Sequence, residues 1–250
     1  MSYSMIFPED IKVDEIGPYE WRVIISPLEK GMADTLGNPL RRIILSLIPG
    51  AAVFKVKIDG IMHEYAPFKG MKEDIMDFLL NVKELALTQD DHVQDQVLLI
   101  EKKGPGKILA KDIELPTGVK VLNESLVLAE LTEDVLFRAE LTVETAMGYK
   151  TAIDRKISKD DRELGMIYLD AIYSPIEKVS YTVENARVDN RTDLDCLVLN
   201  VKTNGTIMPQ DIIKRAATIF QQQLSPFVDI NAQLQAEQKK ETVIINPVFS

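Results

Sequence analysis

Asp193 and Asp195 are the nearest thing in this sequence to a catalytic pair. Side chains two positions apart on an extended strand share a face, so both carboxylates could be offered to one magnesium ion. The alternative is a polar start to a strand after a turn at Asp189-Asn190. Lys102-Lys103-Gly104-Pro105-Gly106-Lys107 has the composition of a phosphate loop without its spacing. The glycines are not separated by four residues, and Ile108 stands where a magnesium-binding hydroxyl would be needed. His63 and His92 are the only histidines, and with Cys196 as the lone cysteine they make no zinc set. Cys196 precedes an apolar strand and reads as a buried, inert thiol, with a cysteine–histidine nucleophile as the alternative. No catalytic, cofactor-binding or metal-binding residue is assigned, and no cofactor is expected.

The elements that would position these groups are more informative. From Thr35 the chain reads as a helix, with Asp34 or Thr35 as its cap and Pro49-Gly50 as its stop. Pro39 sets the start of its regular part near Asn38, with Leu36-Gly37 as a lead-in. Leu36, Leu40, Ile43, Ile44 and Leu47 form one apolar stripe. Leu45 and Ile48 fall on the other side beside Asn38 and Arg41, and Arg42 lies on the flank. A helix apolar on two sides packs either on its own domain and another chain, or wholly inside one domain.

Trp21–Ile25 reads as a strand and Ser26-Pro27-Leu28 as a turn. Phe54, Val56 and Ile58 alternate with polar residues up to Asp59-Gly60, the pattern of a half-buried strand entering a hairpin. Gly70 opens an amphipathic helix whose apolar face holds Met71, Ile75, Phe78, Leu79, Val82 and Leu85. Residues 93–150 hold several short strands, which suggests an antiparallel sheet or small sandwich, and 151–165 reads as a charged, solvated loop. Strands follow at Val179–Val183 and Leu197–Val201. A last helix starts near Pro209 and carries Ile212, Ala216, Ile219, Phe220 and Leu224 until Pro226 breaks it.

The 250 residues, 46% of them hydrophobic, suffice for one large or two modest domains. The formal charge of −10 argues against extensive direct contact with DNA by this chain. A lone cysteine allows no internal disulfide, and no signal pattern or membrane-length apolar run is present, so a cytoplasmic location is expected.

Thr35-Leu36-Gly37-Asn38-Pro39-Leu40-Arg41-Arg42-Ile43 resembles the opening helix motif of the bacterial RNA polymerase alpha subunit. The resemblance continues through Ile58-Asp59-Gly60, His63-Glu64-Tyr65, Glu73-Asp74-Ile75 and Leu79-Leu80-Asn81. It resumes at Asp170-Ala171, Tyr173-Ser174-Pro175, Val183-Glu184 and Ala186-Arg187-Val188. Its most specific blocks are Arg191-Thr192-Asp193-Leu194-Asp195, Thr203-Asn204-Gly205-Thr206-Ile207 and Arg215-Ala216-Ala217. These occur in the family's order along nearly the whole chain.

The resemblance implies an α+β scaffold that dimerises, with itself or a closely related alpha chain, and then recruits the beta and beta prime subunits, without an active site of its own. It implies a discontinuous dimerisation domain (1–49 and 176–232), an inserted strand-rich domain (50–175) and the start of a linker (233–250). The family's helical C-terminal domain is expected to be missing. The expected dimer interface is Leu36, Leu40, Ile43, Leu47, Ile212, Ile219, Phe220 and Leu224. The expected beta contact is Arg42, Leu45, His63, Glu64 and Tyr65. The expected beta prime contact is Lys83, Leu169, Ile176, Lys178 and Arg187. The competing expectation is a stand-alone oligomeric enzyme using a metal at Asp193 and Asp195.

Overall fold

The computed structural model describes residues 5–8, 10–90, 95–153, 155, 165–188 and 191–227. His92, the Asp189-Asn190 turn, most of the 151–165 loop and the linker from 233 lie outside the described residues.

The chain opens with β1 (Asp10–Gly17), β2 (Glu20–Leu28), α1 (Met32–Leu47) and β3 (Pro49–Ile58). Next come α2 (Ile75–Lys83), β4 (Leu87–Gln89), β5 (Gln96–Lys103), β6 (Gly106–Leu109) and β7 (Ile113–Glu114). Then follow β8 (Val119–Val121), β9 (Val127–Leu131), β10 (Leu136–Met147), β11 (Tyr149–Lys150), β12 (Met166–Tyr168) and β13 (Ala171–Ile172). The chain returns through β14 (Ile176–Val188), β15 (Arg191–Thr203) and α3 (Pro209–Leu224).

The protein is α+β. A four-stranded antiparallel sheet has the order β1-β2-β15-β14, so it joins strands from the two ends of the chain. The seven-stranded sheet runs β7-β5-β10-β3-β4-β8, with β12 beside β3. Each sheet has its own core. Val23, Ile25, Leu197, Leu199 and Val201 of the first sheet pack under Leu40 and Ile44 of α1 and Ile212 and Ile213 of α3. Val56, Leu98, Ile100, Phe137 and Leu141 of the second pack with Ile75, Phe78 and Val82 of α2. Phe137 meets Phe78 and Phe68 edge to face, with centroids at 5.2 and 5.3 Å.

The chain crosses between the cores twice, at Pro49-Gly50 and at Ser174-Pro175. A Cβ on Gly50 would stand 2.1 Å from the Tyr173 carbonyl oxygen, so only glycine lets the two crossovers touch. Ser174 Oγ donates to the Leu45 carbonyl at 3.2 Å, tying the second crossover to the end of α1.

Several local expectations are corrected. The first helix begins at Met32, not near Asn38, and Pro39 lies inside it. Gly37 is no lead-in. It is the close-approach point of α1 on the sheet, where a Cβ would meet Tyr181 at 2.7 Å and Leu197 at 2.9 Å. Ile48 belongs to the core, not to an outward side. Ser26-Pro27-Leu28 stays in β2, its irregularity taken up by a register shift between Asp195 and Leu197. Asp59-Gly60 turns into a loop rather than a hairpin, since β3 pairs with β10, β4 and β12.

The second helix starts at Ile75, because residues 70–72 instead form a turn, an isolated bridge from Met71 to Leu131 and a bend. There Lys72 N donates to the Glu130 carbonyl and Thr132 N to the Gly70 carbonyl. α3 does stop at Leu224, and Ser225 donates through Oγ and N–H to the Gln222 carbonyl that Pro226 cannot reach.

Candidate interaction surfaces

The sequence's best catalytic pair is engaged in structural work. Asp195 Oδ2 accepts the backbone N–H groups of Gly31 at 2.7 Å and Ala33 at 3.5 Å, across the start of α1. Arg191 Nη1 and Nη2 reach the two Glu29 carboxylate oxygens at 3.0 and 2.9 Å, a bidentate pair. The same guanidinium donates to both oxygens of Asp193, at 3.2 and 3.3 Å. These hydrogen bonds hold the Glu29 and Asp193 carboxyls below their ordinary pKa and raise that of Arg191. Among the described residues, no three His, Cys, Asp or Glu side chains are grouped to hold a metal.

The other candidates for chemistry are dispersed. Lys102 pairs with Asp112 at 2.9 Å and Lys103 with Asp134 at 3.5 Å, so the glycine-containing loop presents lysines already facing carboxylates. Cys196 is half-buried in β15, whereas His63 follows the outer end of β3 on the other sheet.

The α1 stripe divides in two. Ala33, Gly37, Leu40 and Ile44 face the sheet and are buried. Leu36, Ile43 and Leu47 point about 70° away from them at 100° per residue. Leu36 and Ile43 are half-buried and Leu47 is 37% exposed. α3 divides along its length: Ile212, Ile213 and Ala216 are core, and Ile219 and Phe220 are half-buried. Beyond them Leu224 is 43% and Phe227 85% exposed. Leu40 and Ile212 of the expected dimer set are thus core residues of this chain. The other six form, with Phe227, an apolar band no described residue covers completely. Phe227 was missed because it follows the helix-breaking Pro226.

Arg42 is exposed, and none of the ion pairs among the described residues includes it. Leu45 beside it is half-buried. His63 and Tyr65 are exposed and Glu64 half-buried, but the ten-residue β3 stands between them and α1. That strand is roughly 30 Å long, so a partner touching both ends must be large.

Of the other expected set, Lys83, Lys178 and Arg187 are exposed, while Leu169 and Ile176 are buried. Lys178 and Arg187 lie near opposite ends of β14, roughly 30 Å apart. Glu64, Lys83 and Leu169 instead line a single groove of about 180 Å³ with Met76, Leu79 and Leu80. The two sets, separate in the sequence, meet there.

One residue of the charged 151–165 segment is no solvated side chain. Arg155 stacks its guanidinium on Phe54 at 4.2 Å, pairs with Glu144 at 2.8 Å and donates to the Tyr173 hydroxyl, which itself donates to Glu144. Burial alone would raise the Glu144 carboxyl, but the bonds from Arg155 and Tyr173 hold it below its ordinary value.

Residues 56–174 match the RNA polymerase Rpb3/RpoA insert domain. The match covers the strand-rich unit from within β3 to Ser174 in the second crossover, and it supports an RNA polymerase alpha/Rpb3-type subunit. His63, Glu64, Tyr65, Lys83 and Leu169 lie in the insert-domain match. The apolar band of α1 and α3, Arg42, Leu45, Ile176, Lys178 and Arg187 lie outside it. No described helix is long and apolar enough to cross a membrane.

Proposed function

We propose that this chain is a non-catalytic scaffold of a bacterial-type DNA-directed RNA polymerase, which dimerises and then captures the beta and beta prime subunits. One observation carries the reading: a chain with a polymerase insert domain leaves an apolar band uncovered on a separate unit. Leu36, Ile43, Leu47, Ile219, Phe220 and Leu224 would meet the same residues of a second alpha chain across a two-fold axis, with Leu40 and Ile212 supporting them from below. In this reading 1–49 and 176–232 are the dimerisation domain, 50–175 is the inserted domain that touches the large subunits, and 233–250 begins a linker.

Arg42 and Leu45, with His63, Glu64 and Tyr65, serve the beta subunit. A free guanidinium can donate several hydrogen bonds to partner carbonyls or a carboxylate, which a lysine cannot reproduce. Lys83, Lys178 and Arg187 serve beta prime, with Leu169 and Ile176 shaping the surface from beneath. The metal-enzyme alternative lacks support: both Asp193 oxygens accept from Arg191, and Asp195 Oδ2 accepts from the start of α1.

Sedimentation and reconstitution from purified subunits test the proposal. Phe220→Glu should yield a folded monomer, since a buried unpaired charge costs several kcal/mol. Arg42→Ala should dimerise as the parent does and fail to retain beta. A parent chain that sediments as a monomer, or an Arg42→Ala dimer that assembles with beta normally, would sink the corresponding half of the reading.

A further inference from the structure

Arg191-Thr192-Asp193-Leu194-Asp195 is one of the most specific blocks of the resemblance, and it lies outside the apolar band. Its contacts converge on the five residues that lead β2 into α1. Gly31 occupies the cap position of α1 with φ at 84°, and a glycine has no side chain with which to cap. Two amides at the helix start are met from elsewhere: Asp195, 164 residues away in sequence, accepts from Gly31 N and Ala33 N, while Met32 N stays on the nearby Glu29 carbonyl. A carboxylate there also faces the positive end of the helix. Two residues earlier, Arg191 grips Glu29 with a bidentate fork, and Asp193 holds that guanidinium from the other side. Glu29 Oε1 accepts Ile6 N as well, at 3.1 Å, so the same carboxylate ties down the N-terminal arm.

Opposite charges on one strand therefore hold both sides of a short connection. Arg191 pulls on residue 29, and Asp195 holds residues 31 and 33. Gly37 leaves α1 pressed against Tyr181 and Leu197, so where the helix starts sets how its outer row is aimed.

We propose that Arg191, Asp193 and Asp195 are positioning residues: a clamp on β15 that sets where α1 starts and how it is rotated on the sheet. They act by aiming Leu36, Arg42, Ile43 and Leu47, so this inference rests on the dimer and beta readings for its consequence but not for its geometry.

Amide hydrogen exchange on the intact chain reads the clamp directly, whatever the oligomeric state. Asp195→Ala and Arg191→Ala should each speed exchange at residues 31–35 by about tenfold, the size expected for a lost helix cap, while residues 98–100 and 137–141 keep parent rates. Asp195→Asn, which keeps an acceptor, should restore most of the protection. The exchanged pair Glu29→Arg with Arg191→Glu should protect better than either single variant. Dimer dissociation, followed by sedimentation, should weaken in step with exchange. Parent-like exchange at 31–35 in both alanine variants would overturn the clamp. So would uniform loss of protection through both cores with no rescue by Asp195→Asn, because that is the mark of a merely structural residue. A monomeric parent with fast 31–35 exchange only in the variants would keep the clamp and remove the dimer reading.

Discussion

α1 and α2 carry apolar stripes of similar appearance, and among the described residues α2 buries its main row more completely, although Leu80 beside it is 51% exposed. α2 buries Ile75, Phe78, Leu79 and Val82 entirely against β-strands of its own unit. α1 buries Ala33, Gly37, Leu40 and Ile44, then presents a second row at Leu36, Ile43 and Leu47 that its own chain leaves half open. On α3, Ile219 and Phe220 are half-buried and Leu224 is exposed. The difference separates a helix whose buried row ends in its own core from one with a second, half-open row, which the proposed dimer would cover. Burial of every stripe residue is a statement about folding; a stripe with a second, partly wet edge is a statement about assembly.

Matched truncations sharpen this contrast most. Phe78→Ala should cost about 3–5 kcal/mol in denaturant unfolding, because Phe78 is fully buried and loses its edge-to-face contact with Phe137. Phe220→Ala, measured at a concentration where the chain is monomeric, should cost well under half of that. Equal losses would mean that α3 is an ordinary core helix and that the two regions do not differ.

Gly50→Ala tests whether the two units are held in one geometry. The added methyl overlaps the Tyr173 carbonyl, and the resulting backbone shift should cost about 1–3 kcal/mol. A variant as stable as the parent would show that the crossovers can part freely.

Acid should act on the junction through Glu144. Its carboxyl lies below the ordinary 4.5 in the fold, so the folded form binds the proton more weakly than the unfolded chain. The stabilisation is present above about that value and is lost as pH falls through the folded pKa. Glu144→Gln should flatten this part of the stability profile; an unchanged acid slope would remove Glu144 as its source.

The smallest effect on folding is expected at Leu47. Leu47→Ser should leave monomer stability within about 0.5 kcal/mol of the parent, as partly exposed positions do, while weakening the dimer. A clear loss of monomer stability would place Leu47 with the core residues instead.

The sequence by itself determined the α+β class, the antiparallel strands and the end of α3 just before Pro226. Periodicity and proline chemistry are local, and the chain obeys them locally. It also carried the family resemblance, whose insert-domain part the family match supports independently. Tertiary structure decided which side of each stripe faces inward. Leu40 and Leu36 look alike along the chain, yet Gly37 brings the sheet against Leu40 and leaves Leu36 at the edge. It also decided the role of Asp195. A carboxylate on a strand reads as a metal ligand or a polar start until the helix it caps, 164 residues away, is folded against it. Arg155 shows the same limit, since its charged neighbours spoke for solvent while Phe54, Glu144 and Tyr173 waited in distant strands. Contacts between residues far apart in the chain leave no periodic signal, because spacing along the sequence records only what each element does with its own nearest turns.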